Sequence, residues 1–209
     1  MDPEINILHF VLGFICGHIC GSIPSGLWIV KALFGIDIRN YGSKNIGTTN
    51  VFRTVGAKAA LLVLILDMLK GIIAVAAMNY FFANPLLDVI TALGALLGHN
   101  YSVFLRFKGG KGVATGLGLL IYLMPKVSLG SFLVWLILVL ITRYVSLGSV
   151  VAAVMTPIFA WYFGYPPAYI VFGGIAGLFV IIRHKENIKR LLNGTESKIK
   201  QGNAENLKR

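Results

Sequence analysis

Charged side chains are scarce in this sequence. Asp, Glu, Lys and Arg make up 13% of its 209 residues, while 56% are hydrophobic and the mean hydropathy is +0.78. Soluble domains carry roughly 25% charge, so this balance excludes a separate soluble domain and predicts a multi-spanning membrane protein. Acidic residues are the rarest: 8 Asp and Glu stand against 19 Lys and Arg. Because the basic residues lie between apolar runs, we expect a membrane surface and an anionic substrate as partners, and no nucleic acid.

Cysteine is almost absent, and so are the signatures of several enzyme classes. Cys16 and Cys20 lie four residues apart in the first apolar run, where a disulfide is geometrically poor and a metal would need more ligands. The sequence has no G-x-S-x-G, and no His is followed five residues later by Asp. A P-loop would require Gly at Leu105 and Ser or Thr at Gly112, which excludes nucleotide hydrolysis there. We therefore expect no metal and no cofactor.

Seven apolar runs make up most of the chain. They cover about 5–31, 57–81, 86–105, 113–125, 127–142, 149–164 and 168–183. Several are close to the lower limit of a full span, about 20 residues. The two runs on either side of Pro125 are the weakest candidates, separated only by Pro125 and Lys126, and a re-entrant hairpin there would leave five full spans. We predict an all-α integral membrane protein with about seven transmembrane helices, some of them short.

The distribution of basic residues predicts the orientation. If the N-terminus lies outside, the inner segments are 32–56, 106–112, 143–148 and 184–209, and nearly all of the Lys and Arg residues lie in or directly beside them. Lys126 alone falls outside, and Lys70 falls within a span, where it can pair with Asp67. The C-terminus and the functional face are then cytoplasmic.

The domain organisation is simple. We predict one polytopic membrane domain over 1–196 and a polar, disordered cytoplasmic tail over 197–209. The acidic start 1–4 lacks the basic region of a signal peptide, so we expect the first run to remain as a helix. The acidic residues near the inner face are few, and a carboxylate dyad is not expected there; they are Asp37, Glu186, Glu196 and Glu205.

The strongest chemical signal is the basic, glycine-rich stretch 106–112, which separates two apolar runs. Glycines allow consecutive amides to converge on a phosphate oxygen, and a helix that begins at Val113 would direct its positive end there. We predict that Gly109, Gly110 and Lys111 bind an anionic substrate. The alternative is a short cytoplasmic turn whose charge only sets the topology.

A second polar stretch, 39–53, has the composition of a phosphate or polyol site. It offers hydroxyls, amides, glycines and two arginines, and Asp and Glu are absent from 38–66. The shorter motif 21–26 combines Gly, Ser and Pro within the first run, which indicates either a helix bent around a substrate channel or close helix packing. Ser146 or Ser149 would cap the sixth helix or contribute to a phosphate site.

Five motifs in this order resemble one known family. They are Gly21-Ser-Ile-Pro-Ser-Gly26, Arg39-x-x-Gly-Ser-x-Asn-x-Gly-x-Thr-Asn50, Gly98-His99, Phe107-Lys-Gly-Gly-Lys-Gly-Val-Ala-Thr115 and Arg183-His-Lys-Glu-Asn187. From about residue 12 to 196 the chain resembles the PlsY family of bacterial acyl-phosphate:glycerol-3-phosphate acyltransferases. Lys44 stands where that family usually has Gly, and Ser102 where it often has Pro.

The resemblance implies a fold, a reaction and a set of roles. The fold has seven helices in the cytoplasmic (inner) membrane. An acyl group passes from acyl phosphate to glycerol-3-phosphate, without acyl-CoA or acyl carrier protein, and gives lysophosphatidic acid and phosphate, the first acylation of bacterial phospholipid synthesis. The implied phosphate-binding residues are Ser43, Arg53 and Lys111, while His184 and Asn187 would orient the acceptor or the reacting carbonyl. We add as substrate-binding candidates Asn45, Gly47, Asn50 and Ser149, and we expect a monomer among membrane lipids.

Two questions stay open at the level of the sequence. A transporter or flippase for a phosphorylated small molecule would need the same cations, but also a polar path through the bilayer that the apolar spans do not provide. For the enzyme, no Ser-His-acid triad is visible, so we predict direct transfer without an acyl-enzyme. The proton of the attacking hydroxyl would then pass to a substrate phosphate or to His184, and we favour the phosphate because it arrives beside the hydroxyl.

Overall fold

The computed structural model describes residues 5–202. Within these residues the chain is all-helical, with no β-strand and with two short 3₁₀ turns at Ile38–Asn40 and Val103–Leu105. The α-helices are, in chain order, α1 (Ile7–Ser22), α2 (Ser25–Phe34), α3 (Thr48–Val55), α4 (Ala57–Phe82), α5 (Pro85–Asn100), α6 (Val113–Leu123), α7 (Pro125–Thr142), α8 (Val145–Tyr162), α9 (Pro167–Arg183) and α10 (Lys185–Leu192). The predicted all-α class is confirmed, while the prediction for 1–4 falls outside the described residues.

Each predicted apolar run contains a helix, and the first run contains two, α1 and α2, but not every helix is long enough to cross a membrane. In the described part of the chain, five stretches meet that length: Ile7–Phe34, Ala57–Phe82, Pro85–Leu105, Pro125–Thr142 and Val145–Tyr162. The pair α9 and α10 adds a sixth if its two helices, bent by 61°, form one span. The protein is thus a multi-pass membrane protein. The remaining apolar helix, α6, has only 11 residues.

The first span is broken, and the break is stabilised by neighbouring side chains. Pro24 separates α1 from α2, which frees backbone carbonyls inside an apolar environment. Lys70 Nζ donates to the Ile23 carbonyl at 2.8 Å, and Ser102 Oγ donates to the Ser22 carbonyl. Ser102 has φ −62°, a value that proline also adopts, so the serine keeps the backbone shape and adds this hydrogen bond.

Small residues let α1 and α5 pack backbone against backbone. A Cβ at Gly17 or Gly21 would overlap the backbone of α5 at Thr91 or Ala95, and a Cβ at Gly98 would overlap the His18 carbonyl. This is the small-residue contact that transmembrane helices use to approach closely. The 21–26 motif is therefore at once a bend in the helix and a packing surface, while a substrate channel at this bend stays a prediction.

The segment between α2 and α4 is anchored by its own apolar cluster. Ile38, Ile46 and Val51 are fully or almost fully buried against Val30 and Val63. These contacts fix the loop that precedes α3 against the membrane-spanning helices. The polar side chains of 39–53 are consequently presented from a rigid base.

Candidate anion-binding site

The loop before α3 is organised by one buried amide. The Asn50 Nδ2 group donates to the carbonyls of Tyr41 and Asn45 at 3.0 and 2.8 Å, and Asn50 Oδ1 accepts the Ser43 N–H at 2.8 Å. Asn45 Oδ1 accepts the Gly47 N–H at 2.9 Å, just before α3 begins. Asn45 and Asn50 thus shape the loop from inside, and the Ser43 side chain is the exposed member of this group.

Lys44 occupies a backbone conformation that favours glycine. Its φ is +59°, in the left-handed region, and Gly42 two residues earlier has φ +54°. A side chain in this region costs about 1–2 kcal/mol relative to the right-handed form. The residue departs from the resembled family at this position, yet the loop keeps the left-handed turn.

The turn before α6 differs from its predicted chemistry. Gly109 N–H donates to the Asn100 carbonyl at 3.1 Å, and Gly110 N–H donates to the His99 carbonyl at 2.9 Å. Both amides therefore already have backbone acceptors and are not free to converge on an anion in this arrangement, and substrate contact by Gly109 and Gly110 stays a prediction. A Cβ at either glycine would overlap His99 or Asn100. The glycines serve close packing against the end of α5, which sets the position of Lys111.

Arg183 holds the same turn from the other side, a role that the sequence did not reveal. Its Nε donates to the Gly110 carbonyl and its Nη2 to the Gly109 carbonyl, each at 3.0 Å. The guanidinium also lies 5.4 Å from the centre of the Tyr101 ring. The fork of donors in arginine suits two consecutive carbonyls. The end of α9 and the turn before α6 are thereby fastened together.

Lys111 and Asn187 are brought into direct contact, as partners in one site. Lys111 Nζ donates to Asn187 Oδ1 at 2.5 Å, across 76 residues of sequence. Asn187 lies on α10 and is buried. Its Nδ2 donates in turn to Glu196 Oε1 at 2.7 Å. The two residues that the family resemblance assigned to substrate are therefore neighbours in the fold.

Glu196 is a site residue that the sequence analysis did not identify. Its carboxylate accepts hydrogen bonds from Ser146 Oγ at 2.8 Å and from Arg190 Nε at 2.7 Å, in addition to Asn187. Burial raises the pKa of this carboxyl, but the three hydrogen bonds and the Arg190 charge together lower the pKa below its ordinary value. Glu196 is thus an ionised, buried acceptor beside the basic residues.

Arg53 reaches the same C-terminal segment. Its Nη2 donates to the Ser197 carbonyl at 2.8 Å. Its half-burial lowers the pKa of the guanidinium, a shift that Glu196 opposes and Arg190 reinforces. Ile199 N–H further bonds the Arg143 carbonyl at 2.8 Å, and Gly202 N–H bonds the Phe52 carbonyl at 3.0 Å. Residues 197–202 are therefore tied to the helices by hydrogen bonds at Ser197, Ile199 and Gly202, in contrast to the disordered tail predicted from 197, whereas 203–209 lie outside the described residues.

His184 lies at the bend between α9 and α10 and is buried. Its Nδ1 is 2.7 Å from the Val180 carbonyl, which can only accept, so Nδ1 carries the proton. In the neutral ring the Nε2 lone pair is then available to accept a hydrogen bond from a ligand. This fixed tautomer is the arrangement that either role of His184, base or positioning group, requires.

The two serines at the start of α8 do not cap it. The N-cap is Tyr144, without a side-chain hydrogen bond, and Ser149 Oγ donates to the Val145 carbonyl of its own helix at 2.9 Å. The cap prediction is therefore wrong, since Ser146 already lies inside the first turn and binds Glu196. Ser149 is buried with its hydroxyl turned to the helix backbone, so its contact with substrate stays a prediction.

The electrostatics of the site centre on Lys111. Burial lowers the pKa of its ammonium group to about 8, and the nearby charges of Arg190, Arg53 and Arg183 act in the same direction, while Glu196 opposes them. Four cations from α3, the 106–112 turn, α9 and α10 thus share one region. No group of three His, Cys, Asp or Glu that could hold a metal occurs within residues 5–202. An anion that entered this region would relieve the repulsion among the cations.

Comparisons with known proteins agree on one family. The family model described as glycerol-3-phosphate acyltransferase matches residues 11–194. A glycerol-3-phosphate acyltransferase of Rippkaea orientalis is 46% identical, over 93% of this chain and 91% of the relative. One from Fusobacterium nucleatum is 47% identical, over 86% of this chain and 92% of the relative.

Two solved structures share the fold over almost the whole chain. One is the glycerol 3-phosphate form of PlsY (YgiH), an integral membrane glycerol 3-phosphate acyltransferase, with a TM-score of 0.86 and 44% identity over 91% of this chain and 96% of that chain. The other is the lysophosphatidic acid form, with a TM-score of 0.82 and 41% identity over 90% of this chain and 94% of that chain. Together with the family match, these similarities show that the chain belongs to the glycerol-3-phosphate acyltransferase family.

Proposed function

We propose that this protein transfers a fatty acyl group from acyl phosphate to glycerol-3-phosphate, giving lysophosphatidic acid and inorganic phosphate. The observation that carries the proposal is the cluster of Lys111, Asn187 and Arg53, remote in sequence and joined at one site. The solved relatives are described as glycerol 3-phosphate and lysophosphatidic acid forms, which name an acceptor and a product consistent with it. Acyl phosphate as donor rests on the family resemblance.

The cations suit this reaction because both substrates are anionic and phosphate is the leaving group. Lys111 and Arg53 neutralise phosphate oxygens, and Arg183 keeps the turn that carries Lys111 in place. Charge that develops on the carbonyl oxygen and on the departing phosphate is stabilised by positive groups that are already oriented. Ser43, exposed at the rim of the 41–47 loop, completes the phosphate contacts.

The hydroxyl of glycerol-3-phosphate attacks the acyl carbonyl directly, without an acyl-enzyme. A substrate phosphate takes the proton, since its second pKa is about 6 and it lies beside the hydroxyl. His184 then orients a substrate group through Nε2, because Nδ1 is held by the Val180 carbonyl. Asn187, with its Oδ1 on Lys111, keeps the ammonium group directed at the phosphate.

The charges and the turn before α6 support a proposed arrangement in the membrane. Seven segments cross the cytoplasmic membrane of a bacterium, with the N-terminus outside and the C-terminus and active site on the cytoplasmic side. α6, the fourth crossing in chain order, completes the seven in spite of its 11 residues, which form about 17 Å of helix. It is short because the turn that precedes it folds back onto His99 and Asn100 within α5. The protein acts as a monomer, with one catalytic domain over 1–196.

The decisive experiment uses purified protein in detergent or lipid, supplied with glycerol-3-phosphate and palmitoyl phosphate. We expect lysophosphatidic acid and inorganic phosphate in equal amounts, without acyl-CoA or acyl carrier protein. A transporter would move glycerol-3-phosphate into sealed vesicles and form no product. Failure to form lysophosphatidic acid in a preparation that remains folded would contradict the proposal.

A further inference from the structure

The C-terminal segment 195–202, which we call the C-terminal strap, makes close contacts with the candidate site. Thr195 N–H bonds the Arg190 carbonyl at 2.8 Å and fixes the exit of the strap from α10. Gly202 is packed so closely on the end of α3 that a Cβ would overlap the Arg53 carbonyl. Between these anchors, two consecutive residues of the strap contact the cation cluster: the side chain of Glu196 and the carbonyl of Ser197.

Glu196, together with the donor-only ammonium of Lys111, decides which way the Asn187 amide points. An ionised carboxylate accepts hydrogen bonds and cannot donate one, so Asn187 must turn its NH₂ group to Glu196. The amide oxygen then faces the opposite side, where it accepts from Lys111 Nζ. With the amide reversed, its NH₂ group would face the ammonium of Lys111 and its oxygen would face the carboxylate, and both contacts would be lost.

The carboxylate itself is held in place by two further donors. Ser146 comes from α8 and Arg190 from α10, and the side chain of Glu196 is only 3% exposed. Both oxygens of the carboxylate are used. Oε1 accepts from Ser146 and Asn187, and Oε2 accepts from Arg190 in the salt bridge. A buried charge with this many partners has one favoured position.

We propose that Glu196 is a positioning residue for the phosphate site: it orients Asn187, and through Asn187 it holds Lys111, while the next residue of the strap holds Arg53. This inference rests on the proposed function of the same site. Glu196 itself does not touch the reacting atoms. It converts the basic residues from separate segments into one pre-oriented group, which is how supporting hydrogen bonds act around other functional sites.

Positioning and simple electrostatics predict opposite results for Glu196→Gln. Removal of a negative charge next to Lys111 and Arg53 makes the region more positive, which on its own strengthens the binding of an anion. If Glu196 positions Asn187, the glutamine offers one acceptor oxygen where the carboxylate uses two, so its NH₂ group must face either Asn187 Nδ2 or Arg190 Nε. Asn187 is then held less firmly, and phosphate contacts weaken. The direction of the change therefore distinguishes the two roles.

The test compares Glu196→Gln with Glu186→Gln, which removes the same charge from an exposed position on α10. Both purified variants and the wild-type protein are checked for folding by gel filtration and thermal unfolding. Affinity for glycerol-3-phosphate is measured by titration. The values of kcat and KM are measured by steady-state kinetics with palmitoyl phosphate as donor. We expect Glu196→Gln to lose at least about tenfold in glycerol-3-phosphate affinity or in kcat/KM, the size of one hydrogen bond to a charged group. Glu186→Gln should match the wild type.

Tighter binding of glycerol-3-phosphate or unchanged turnover in folded Glu196→Gln would overturn the inference. The proposed function would still stand, because it depends on the activity of the wild-type protein. If the wild-type protein itself forms no lysophosphatidic acid, it is the proposed function that fails. Should Glu196→Gln not fold, Ser146→Ala carries the test, because it removes one donor to Glu196 and leaves every charge in place. We then expect a loss of about threefold to tenfold in kcat/KM, and a wild-type value would overturn the inference.

Discussion

Two lysines of this protein lie near a carboxylate, and they differ in how they reach it. Lys70, inside α4, contacts Asp67 directly at 2.8 Å and also bonds the Ile23 carbonyl, with a side chain only 4% exposed. Lys111 contacts the neutral amide of Asn187, and the carboxylate of Glu196 binds the other end of that amide, so it does not contact Lys111 through a hydrogen bond. Lys70 is thus neutralised within the structure, whereas Lys111 keeps a positive charge that an anion can use.

The difference teaches how a membrane protein separates structural from functional charge. A direct, buried ion pair satisfies both groups and leaves nothing for a ligand. An intervening amide fixes the lysine in position but does not cancel its charge, and the repulsion of Arg53, Arg183 and Arg190 favours the arrival of an anion. Substitutions at these positions should therefore separate the two lysines, with effects that range from a large loss of stability to a small gain.

Lys70→Met should damage stability more than a substitution at any residue of the anion site. It leaves Asp67 buried without its partner, which costs about 3–5 kcal/mol in the free energy of unfolding. Chemical unfolding of the purified protein measures this loss, with Lys31→Met as the control at an exposed lysine. The double change Asp67→Leu and Lys70→Met should recover most of the stability. A Lys70→Met protein as stable as the wild type would mean that the pair has no structural role.

Lys111→Ala should instead abolish or strongly reduce turnover in a folded protein. Loss of a charge-assisted contact to phosphate costs about 1.5–3 kcal/mol, at least about tenfold in kcat/KM. The assay is the formation of lysophosphatidic acid, and thermal unfolding verifies the fold. Lys108→Ala, an exposed lysine of the same turn, is the matched control and should retain wild-type activity. Equal activity of the two variants would return Lys111 to a purely topological role.

The pKa of Lys111 predicts how binding depends on pH. In the protein without substrate, the Lys111 ammonium has a pKa of about 8. A bound phosphate raises this pKa. Above pH 8, binding therefore requires that Lys111 take up a proton. Affinity for glycerol-3-phosphate should therefore fall as pH rises, by about tenfold between pH 7 and 9. Titrations at several pH values measure this fall. Lys111→Arg stays charged throughout and should remove the pH dependence; a fall that persists in this variant would assign it to another group.

His184→Gln should reduce turnover by less than about tenfold, if His184 acts by hydrogen bonding alone. Glutamine can still donate and accept, but it is not a base, so substrate-assisted proton transfer survives. Steady-state kinetics with both substrates measure the effect. Loss of several orders of magnitude in a folded variant that still binds both substrates would make His184 the base. A trapped acyl-serine or acyl-cysteine would contradict direct transfer altogether.

Lys44→Gly should give a small gain in stability. The left-handed backbone at φ +59° costs a lysine about 1–2 kcal/mol, and the extra chain entropy of glycine offsets about 0.5–1 kcal/mol of that. We expect a net gain of about 0.5–1 kcal/mol in the free energy of unfolding, with unchanged activity. A loss of stability would indicate that the Lys44 side chain makes favourable contacts.

The sequence predicted the features that depend on local pattern. Apolar runs marked every helix except α3 and α10. The spacing of Asp67 and Lys70 predicted their pairing, and the motifs singled out Lys111 and Asn187, which the structure brings into contact. Where the amides of Gly109 and Gly110 would point could not be predicted, since it depends on the contact of the turn with the end of α5. Local pattern reports which groups are present, and tertiary contacts decide which of them stay available.

Glu196 shows that the sequence can also miss a residue that tertiary contacts bring to the site. In the sequence it stands in the polar stretch after the last apolar run, at the end of the predicted membrane domain 1–196, and no periodicity assigns it a role. Its partners Ser146 and Arg190 lie 50 and 6 residues away. Only the return of the C-terminal strap across α8 and α3 brings the carboxylate to Asn187, so no rule based on spacing could have identified it.

The central claim is that Lys111, and not Lys70, is the lysine that binds substrate phosphate. It is tested most directly by an experimental structure of this protein with glycerol-3-phosphate bound. We predict a phosphate oxygen within hydrogen-bonding distance of Lys111 Nζ and of the Arg53 guanidinium, with the Asp67–Lys70 pair unchanged. A phosphate bound away from Lys111, or one that separates Lys70 from Asp67, would contradict the claim.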